Sequence, residues 1–133
     1  MFNLTGAILV VDDNRMNRLM LARGLEPQGH QVSFAEHGRQ ALEMMQNQAF
    51  DLVLLDIEMP EMNGYEVLEQ LNANPHWRDI PVSMISAVDE IDSVVKCIEM
   101  GAEDYLTKPV NPVLLRARIG ASLEKKRLRD EQR

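Results

Sequence analysis

Charged residues directly follow three short segments of the sequence, two of which are wholly apolar. The segments with their charged neighbours are 7–11 with Asp12 and Asp13, 52–55 with Asp56, and 104–107 with Lys108. Uninterrupted apolar runs of four or five residues are typical of strands that are buried on both faces of a parallel sheet. Ligands of open α/β sheets bind beyond the carboxyl ends of such strands. We therefore expect three carboxylates and one ammonium to converge there, in a cluster that suits a divalent cation and a phosphoryl group.

Length, composition and charge narrow the class of protein. The 133 residues are 45% apolar, which predicts one domain with one sizeable core. The apolar runs are too short to span a membrane, and the start of the chain does not resemble a secretory signal. The one cysteine, Cys97, cannot form an internal disulfide and fits a cytoplasmic setting. A net charge of −7, with much of the positive charge in the tail, argues against direct nucleic-acid binding.

Hydrophobic periodicity predicts strand and helix in alternation, five times. The predicted strands are Ala7 to Val11, Gln31 to Ala35, Leu52 to Leu55, Val82 to Ile85 and Asp104 to Leu106. The first two predicted helices run from an N-cap at Asn14 to Glu26 and from Arg39 to Asn47. The third contains Val67, Leu68 and Leu71, the fourth contains the amphipathic set Ile91, Val94, Val95 and Ile98, and the fifth begins near Pro112. This alternation predicts an α/β fold of the flavodoxin-like (βα)5 type, a doubly wound parallel five-stranded sheet in the order 2-1-3-4-5. Strands 1 and 3 then flank the topological switch point, where the order of the strands reverses and ligands bind in such sheets.

The ordered motifs together resemble the receiver domain of two-component response regulators, from about Ile8 to Leu123. The motifs are Val11 to Asn14, Asp51 to Glu66, Ile80 to Val82, Ser86 with Ala87, and Gly101 to Pro109. The resemblance implies a phosphoacceptor domain at residues 1–123, followed by a charged extension of helix 5 at 124–133 that could link to an output domain. It also implies a signalling protein of a phosphorelay rather than a metabolic enzyme, with Mg²⁺-dependent self-phosphorylation and slow autodephosphorylation only.

The resemblance gives the charged residues their roles. It implies that Asp56 is the phosphoacceptor and takes a phosphoryl group from a phosphohistidine. Mg²⁺, or Mn²⁺, would be held by the carboxylates of Asp13 and Asp56 and by the backbone carbonyl of Glu58, with Asp12 acting mainly through water. Lys108 would pair with Asp56 before transfer and with a phosphoryl oxygen afterwards. The acidic side chain of Glu58 predicts no direction for the lifetime of the phosphoryl group.

The same resemblance implies how the signal is passed on. Ser86 would turn its hydroxyl to a phosphoryl oxygen, and Tyr105 would then turn inward, so that the helix 4–strand 5–helix 5 face changes. Ala87 would leave room for the donor, and Pro109 would aim the neighbouring lysine. The implied partners are a sensor histidine kinase or a phosphotransfer protein, and an output domain beyond residue 133 or a separate partner protein. A homodimer through that face or through the helix 5 extension is a further interpretation.

Other classes of protein remain as alternatives at this point. A haloacid-dehalogenase-type phosphatase needs a second aspartate two residues after the nucleophile, where this sequence has Glu58. A flavin-binding module needs a phosphate-binding loop after strand 1, whereas residues 12–15 read Asp-Asp-Asn-Arg. A degenerate receiver that acts only by protein contact is disfavoured by a complete site, namely Asp12, Asp13, Asp56, Ser86 and Lys108. The tail is either a solvated helix end or a signalling helix or dimer stem.

Overall fold

The computed structural model describes residues 4–132, in which a five-stranded parallel sheet lies between two layers of helices. The elements are β1 (Ala7–Val11), α1 (Arg15–Leu25), a short 3-10 helix (Glu26–Gln28), β2 (Gln31–Ala35), α2 (Gly38–Asn47), β3 (Leu52–Asp56), α3 (Gly64–Ala73), β4 (Val82–Ser86), α4 (Ile91–Glu99), β5 (Asp104–Thr107) and α5 (Pro112–Glu131). The strand order is β2-β1-β3-β4-β5, and every pair is parallel. The predicted flavodoxin-like fold and its strand order are confirmed.

The central strands supply two hydrophobic cores, one on each face of the sheet. Alternate residues of β1 and β3 point to opposite faces: Ile8, Val10, Leu52 and Leu54 pack with α1 and α5, whereas Leu9, Val11, Val53 and Leu55 pack with α2, α3 and α4. All of these side chains are buried. Burial on both faces explains why these strands read as continuous apolar runs rather than as alternating ones.

The loops at the carboxyl edge of the sheet are held between strand ends and capped helices. Asn14, Asn63 and Asn111 cap α1, α3 and α5 through side-chain oxygens that accept backbone N–H groups, and Asn63 forms a capping box with Glu66. The predicted cap at Asn14 is therefore confirmed. β3, β4 and β5 each run one residue beyond their predicted ends. Because of this extension, the candidate phosphoacceptor is itself the last residue of β3.

The apolar stripe predicted for the fourth helix does not face the sheet. Ile91 is 76% exposed, Ile98 is 58% exposed and Val95 is also exposed, whereas Cys97 is buried against the core. Cysteine behaves in such a position as a small hydrophobic residue. Periodicity correctly predicted a helix, but it does not distinguish an apolar face that packs from one that remains in solvent. The exposed stripe of α4 is therefore a surface feature.

α5 continues as one helix through the charged tail. Its basic side chains reach acidic residues near the sheet: Glu103 lies 3.7 Å from Lys125 and 3.4 Å from Arg129, as measured between the charged atoms. Lys126 and Arg127 also pair with acidic residues three or four positions away along the helix. Such charge pairs stabilise a helix at its exposed end. Among residues 4–132, no helix is both long enough and apolar enough to span a bilayer.

Candidate functional site

Three acidic residues meet where β1 and β3 end. Asp12, Asp13 and Asp56 each place a carboxylate oxygen within 4.8 Å of the others. Asp12 and Asp56 are each only 1% exposed, while Asp13 lies exposed at the rim. At this separation two ionised carboxylates repel each other by roughly 3 kcal/mol at an effective dielectric constant near 20. The cluster therefore favours a neighbouring cation.

Lys108 provides positive charge from the end of β5. Its Nζ lies 3.1 Å from Asp56 Oδ1 and 3.3 Å from Asp12 Oδ2. The peptide bond to Pro109 is cis, and the backbone N–H of Lys108 donates to the carbonyl of Ser86 at 2.8 Å. Burial on its own lowers the pKa of Lys108, but hydrogen bonds and charge attraction from Asp56 and Asp12 raise it by more. The net pKa is raised, so the side chain stays cationic.

The two oxygens of Asp56 have different surroundings. Oδ1 accepts the backbone N–H of Glu58 at 3.2 Å and faces Lys108. Oδ2 is buried, and none of the residues 4–132 donates a hydrogen bond to it. Burial and the charge of Asp12 raise the pKa of Asp56 to about 7, although Lys108 acts in the opposite direction. A buried carboxylate oxygen without a donor suits either a divalent cation or an electrophilic phosphorus atom.

The start of α3 lies very close to the backbone of Asp56 and Ile57. The N–H of Gly64 donates to the carbonyl of Ile57 at 2.9 Å. A Cβ atom at position 64 would lie 2.5 Å from the carbonyl oxygen of Asp56 and 2.7 Å from the Cα of Ile57. Since both neighbours are backbone atoms, they cannot move away as a flexible side chain would. Gly64 thus permits the approach that fixes the loop after β3.

We predict that Gly64→Ala destabilises the domain by about 1–3 kcal/mol, the usual cost of overpacking. Gly120→Ala is the matched control, because among the described residues no atom other than its chain neighbours and the nearby backbone of α5 lies within 4 Å of a Cβ at that position. The control should be neutral or stabilising by about 0.5–1 kcal/mol, since alanine favours helix over glycine. Urea unfolding measures both variants, and equal stabilities of the two would contradict the close contact at position 64.

The predicted switch residues form a hydrogen-bonded chain at the end of β4. The buried hydroxyl of Ser86 donates to Glu58 Oε2 at 2.6 Å, and the N–H of Ala87 donates to Glu58 Oε1 at 2.8 Å. Ser86 Oγ in turn accepts the N–H of Val88 at 2.9 Å. The hydroxyl of Tyr105, which is half-buried, donates to the carbonyl of Val88. The site and the tyrosine are therefore connected through the loop after β4.

Sequence reasoning missed two contacts of this site. It gave the backbone carbonyl of Glu58 a role and predicted no contact for the side chain, whereas the side chain contacts Ser86, which is 28 positions away in the chain. It also left out Arg18, whose guanidinium donates to the carbonyl of Asp12 at 2.8 Å and pairs with Glu36. The first contact joins residues 28 positions apart, whereas the second joins α1 to a residue only six positions earlier. No spacing pattern in the sequence signals either contact.

Comparison with known families decides the class of the protein. The family model described as "Response regulator receiver domain" matches residues 8–120. The chain belongs to this family. The predicted receiver domain of two-component signalling is thereby confirmed, and the phosphatase and flavin-binding alternatives are set aside.

Similar proteins agree with this assignment. The receiver domain is 42% identical over 123 residues to a probable cyclic di-GMP phosphodiesterase of Vibrio cholerae, and 38% identical over 130 residues to the response regulator PleD of Caulobacter vibrioides. The matches cover 92% and 98% of this chain, but only 28% and 29% of those two proteins. The chain therefore spans less than a third of the length of these relatives.

A solved structure gives the same result. The receiver domain matches a signal receiver domain of a signal transduction histidine kinase from Syntrophus aciditrophicus with a TM-score of 0.83 and 33% identity. The match covers 90% of this chain and 91% of that one. The receiver fold therefore accounts for nearly the whole of both chains.

Proposed function

We propose that this receiver domain accepts a phosphoryl group on Asp56. The observation that supports the proposal most strongly is the buried Oδ2 of Asp56, which has no hydrogen-bond donor among residues 4–132. The other oxygen of the same carboxylate contacts Lys108. A carboxylate is a nucleophile as soon as it is ionised, so it needs no general base. The task of the surrounding protein is then to align the reactants and to balance charge.

In the proposed reaction, Asp56 Oδ2 attacks the phosphorus of a phosphohistidine on a histidine kinase or phosphotransfer protein. The P–O bond forms as the P–N bond breaks. The imidazole leaves with the electron pair as a neutral ring, because its second nitrogen carries the proton. Lys108 pairs with Asp56 before transfer and with a phosphoryl oxygen after it. Its positive charge thus stays beside the negative charge that the phosphoryl group brings to the site.

Asp12, Asp13 and Asp56 fit a hard divalent cation, Mg²⁺ or Mn²⁺. One carboxylate oxygen of each lies within 4.8 Å of the others, a spacing that a single ion can bridge. We propose that Asp13 and Asp56 bind through carboxylate oxygens, Glu58 through its backbone carbonyl, and Asp12 mainly through water. The bound cation supplies Lewis-acid neutralisation of the acceptor and phosphoryl oxygens.

The surface beside the site suits a protein donor. Met16 and Met20 of α1 are 64% and 52% exposed, and α1 begins directly after the acidic loop. A largely apolar cavity of about 240 Å³ is lined by Met20, Leu21, Lys108 and Pro109, among others. We propose that a sensor histidine kinase or phosphotransfer protein docks here, because exposed apolar patches mark interaction surfaces.

The proposed output of the switch uses the opposite side of the loop after β4. A phosphoryl oxygen would take the hydroxyl of Ser86, and Tyr105 would turn inward as the loop moves. The exposed apolar residues of α4, together with Val113 on α5, then present a changed face. We propose that this face, or the helical extension at 124–133, controls an output domain or a separate partner protein in the cytoplasm. A homodimer is one form that this control could take.

The proposal predicts Mg²⁺-dependent labelling by a small acyl phosphate such as acetyl phosphate. Intact-mass spectrometry should detect one added phosphoryl group on the wild-type chain. Removing the cation with a chelator should abolish the label, because the clustered carboxylates then repel the phosphoryl oxygens. Asp56→Asn should lower the labelling rate by roughly three orders of magnitude, since the amide oxygen is a far weaker nucleophile. Labelling that persists unchanged in Asp56→Asn would contradict the proposal.

A further inference from the structure

We infer that the carboxylate of Glu58 is an internal competitor of the phosphoryl group for the hydrogen-bond donors at the end of β4. The inference rests on the proposed function and adds to it a residue that regulates the phosphoacceptor. The residue stands two positions after Asp56, on the loop that follows β3. Its side chain has a role separate from that of its backbone carbonyl.

The contact is made by both oxygens of one carboxylate. Ser86 Oγ donates to Oε2 at 2.6 Å and the N–H of Ala87 donates to Oε1 at 2.8 Å. Hydrogen bonds to an ionised acceptor are shorter and stronger than neutral ones. The hydroxyl of Ser86 is buried, so a water molecule does not readily replace Glu58 as its hydrogen-bond acceptor. The two donors therefore form a small anion-binding pair that is already occupied.

These donors lie beside the phosphoacceptor because β3 and β4 are neighbours. The N–H of Ile57 donates to the carbonyl of Ile85 at 2.9 Å, which joins the ends of the two strands directly beyond Asp56 and before Ser86. The N–H of Glu58 donates to Asp56 Oδ1 at 3.2 Å. One residue thus contacts the phosphoacceptor through its backbone and the donor pair through its side chain.

A phosphoryl group at Asp56 and the carboxylate of Glu58 cannot use the same donors at once. Phosphorylation brings three strong acceptor oxygens and added negative charge to the site. Lys108 and a bound cation can satisfy part of this demand, and Ser86 with Ala87 are the neutral donors next to them. Two anions at hydrogen-bonding distance from one donor pair would also repel each other. Because Glu58 is exposed, its side chain can leave to solvent, and phosphorylation would have to displace it.

Displacement of Glu58 also links the site to the tyrosine. Val88 N–H donates to Ser86 Oγ, and Tyr105 donates to the carbonyl of Val88. In the unphosphorylated chain the carboxylate of Glu58 therefore holds the loop after β4 in the place where a phosphoryl oxygen would hold it. Phosphorylation therefore orders the loop after β4 by less than it would in a chain whose side chain at position 58 leaves these donors free.

We expect Glu58→Ala to be labelled by acetyl phosphate about tenfold faster than wild type, since both donors become available. Glu58→Gln should fall between the two, because an amide can accept from one donor but not from both. Glu61→Gln is the matched control: it removes the same charge from an exposed side chain on the same loop. The control should change the rate by less than about twofold, as expected for a screened surface charge.

Two further readouts separate competition from a general effect on folding. In the double variant Glu58→Ala with Ser86→Ala, the gain from Glu58→Ala should shrink, since one of the contested donors has been removed. In the chelated, unlabelled protein, the amide proton of Ala87 should exchange with solvent faster in Glu58→Ala than in Glu61→Gln. Nuclear magnetic resonance measures this exchange without any phosphorylation.

The outcomes distinguish the inference from the proposed function. Faster labelling of Glu58→Ala and faster exchange at Ala87, neither seen in Glu61→Gln, support the competition. Normal labelling of wild type with an unchanged or slower rate in Glu58→Ala overturns the inference and leaves the proposed function intact. A wild-type chain that takes no label at Asp56 overturns the proposed function itself.

Discussion

Lys108→Met should both slow phosphorylation of Asp56 and destabilise the metal-free domain. The ammonium lies 3.1 Å from Asp56 and 3.3 Å from Asp12, whose carboxylates are almost fully buried. Removing one partner of a buried ion pair leaves the other charge uncompensated, which costs about 3 kcal/mol or more at a pH above about 7, where Asp56 is ionised. The labelling rate should fall roughly a hundredfold, the scale of losing one electrostatic contact to the transferring group. Urea unfolding in chelator and intact-mass labelling measure the two effects.

The control for this prediction is Lys125→Met. That lysine is exposed and lies 3.7 Å from Glu103, so its removal should change the free energy of unfolding by less than about 1 kcal/mol. Combining Lys108→Met with Asp56→Asn should recover much of the lost stability, because the uncompensated carboxylate is gone. If Lys108→Met unfolds like Lys125→Met and is labelled normally, Lys108 has no part in balancing the charge of the site.

Asp56→Asn should stabilise the metal-free domain, and increasingly so as the pH rises. In the folded chain, burial and the charge of Asp12 raise the pKa of Asp56 from 3.8 to about 7. Between these values the folded state binds a proton that the unfolded state has released, so ionisation of Asp56 disfavours folding. The contribution of Asp56 to the stability of the wild type is therefore most favourable below about pH 4 and falls until the pH passes about 7. The full difference amounts to roughly 4 kcal/mol at most.

The difference in unfolding free energy between Asp56→Asn and wild type isolates this titration. In chelator it should be small near pH 4 and should reach a few kcal/mol near pH 8. Added Mg²⁺ should stabilise the wild type more than the variant, because the cation binds the folded carboxylates. A difference that stays constant across this range of pH would contradict the raised pKa of Asp56.

The fold was predictable because its determining signals are local. The runs at 7–11 and 52–55 are apolar on both faces of their strands, and Asn14 caps the first helix. The side of α4 that packs was not predictable in the same way. Its apolar stripe, which includes Ile91 and Ile98, is exposed, and Cys97 takes the buried position. Helical periodicity measures segregation of side chains, not which of the separated faces meets the sheet.

The part of the candidate site that lies at the ends of strands was predictable from the sequence. Asp12, Asp13, Asp56 and Lys108 come together because parallel strands in this order bring their carboxyl ends to one edge. The carboxylate of Glu58 was not predictable in its contacts with Ser86 and Ala87. The loops that carry these residues are remote in the chain, and their meeting depends on side-chain reach as well as on topology.

We propose that Asp56 carries the phosphoryl group, and the chemistry of its acyl phosphate allows this to be tested directly. Borohydride reduces an acyl phosphate on aspartate to homoserine, so peptide sequencing by mass spectrometry locates the modified residue directly. After incubation with acetyl phosphate and Mg²⁺, we predict homoserine at position 56 alone, and none when a chelator is present. Homoserine at position 12 or 13, or a phosphoryl group on another side chain with position 56 unmodified, would show that Asp56 is not the phosphoacceptor.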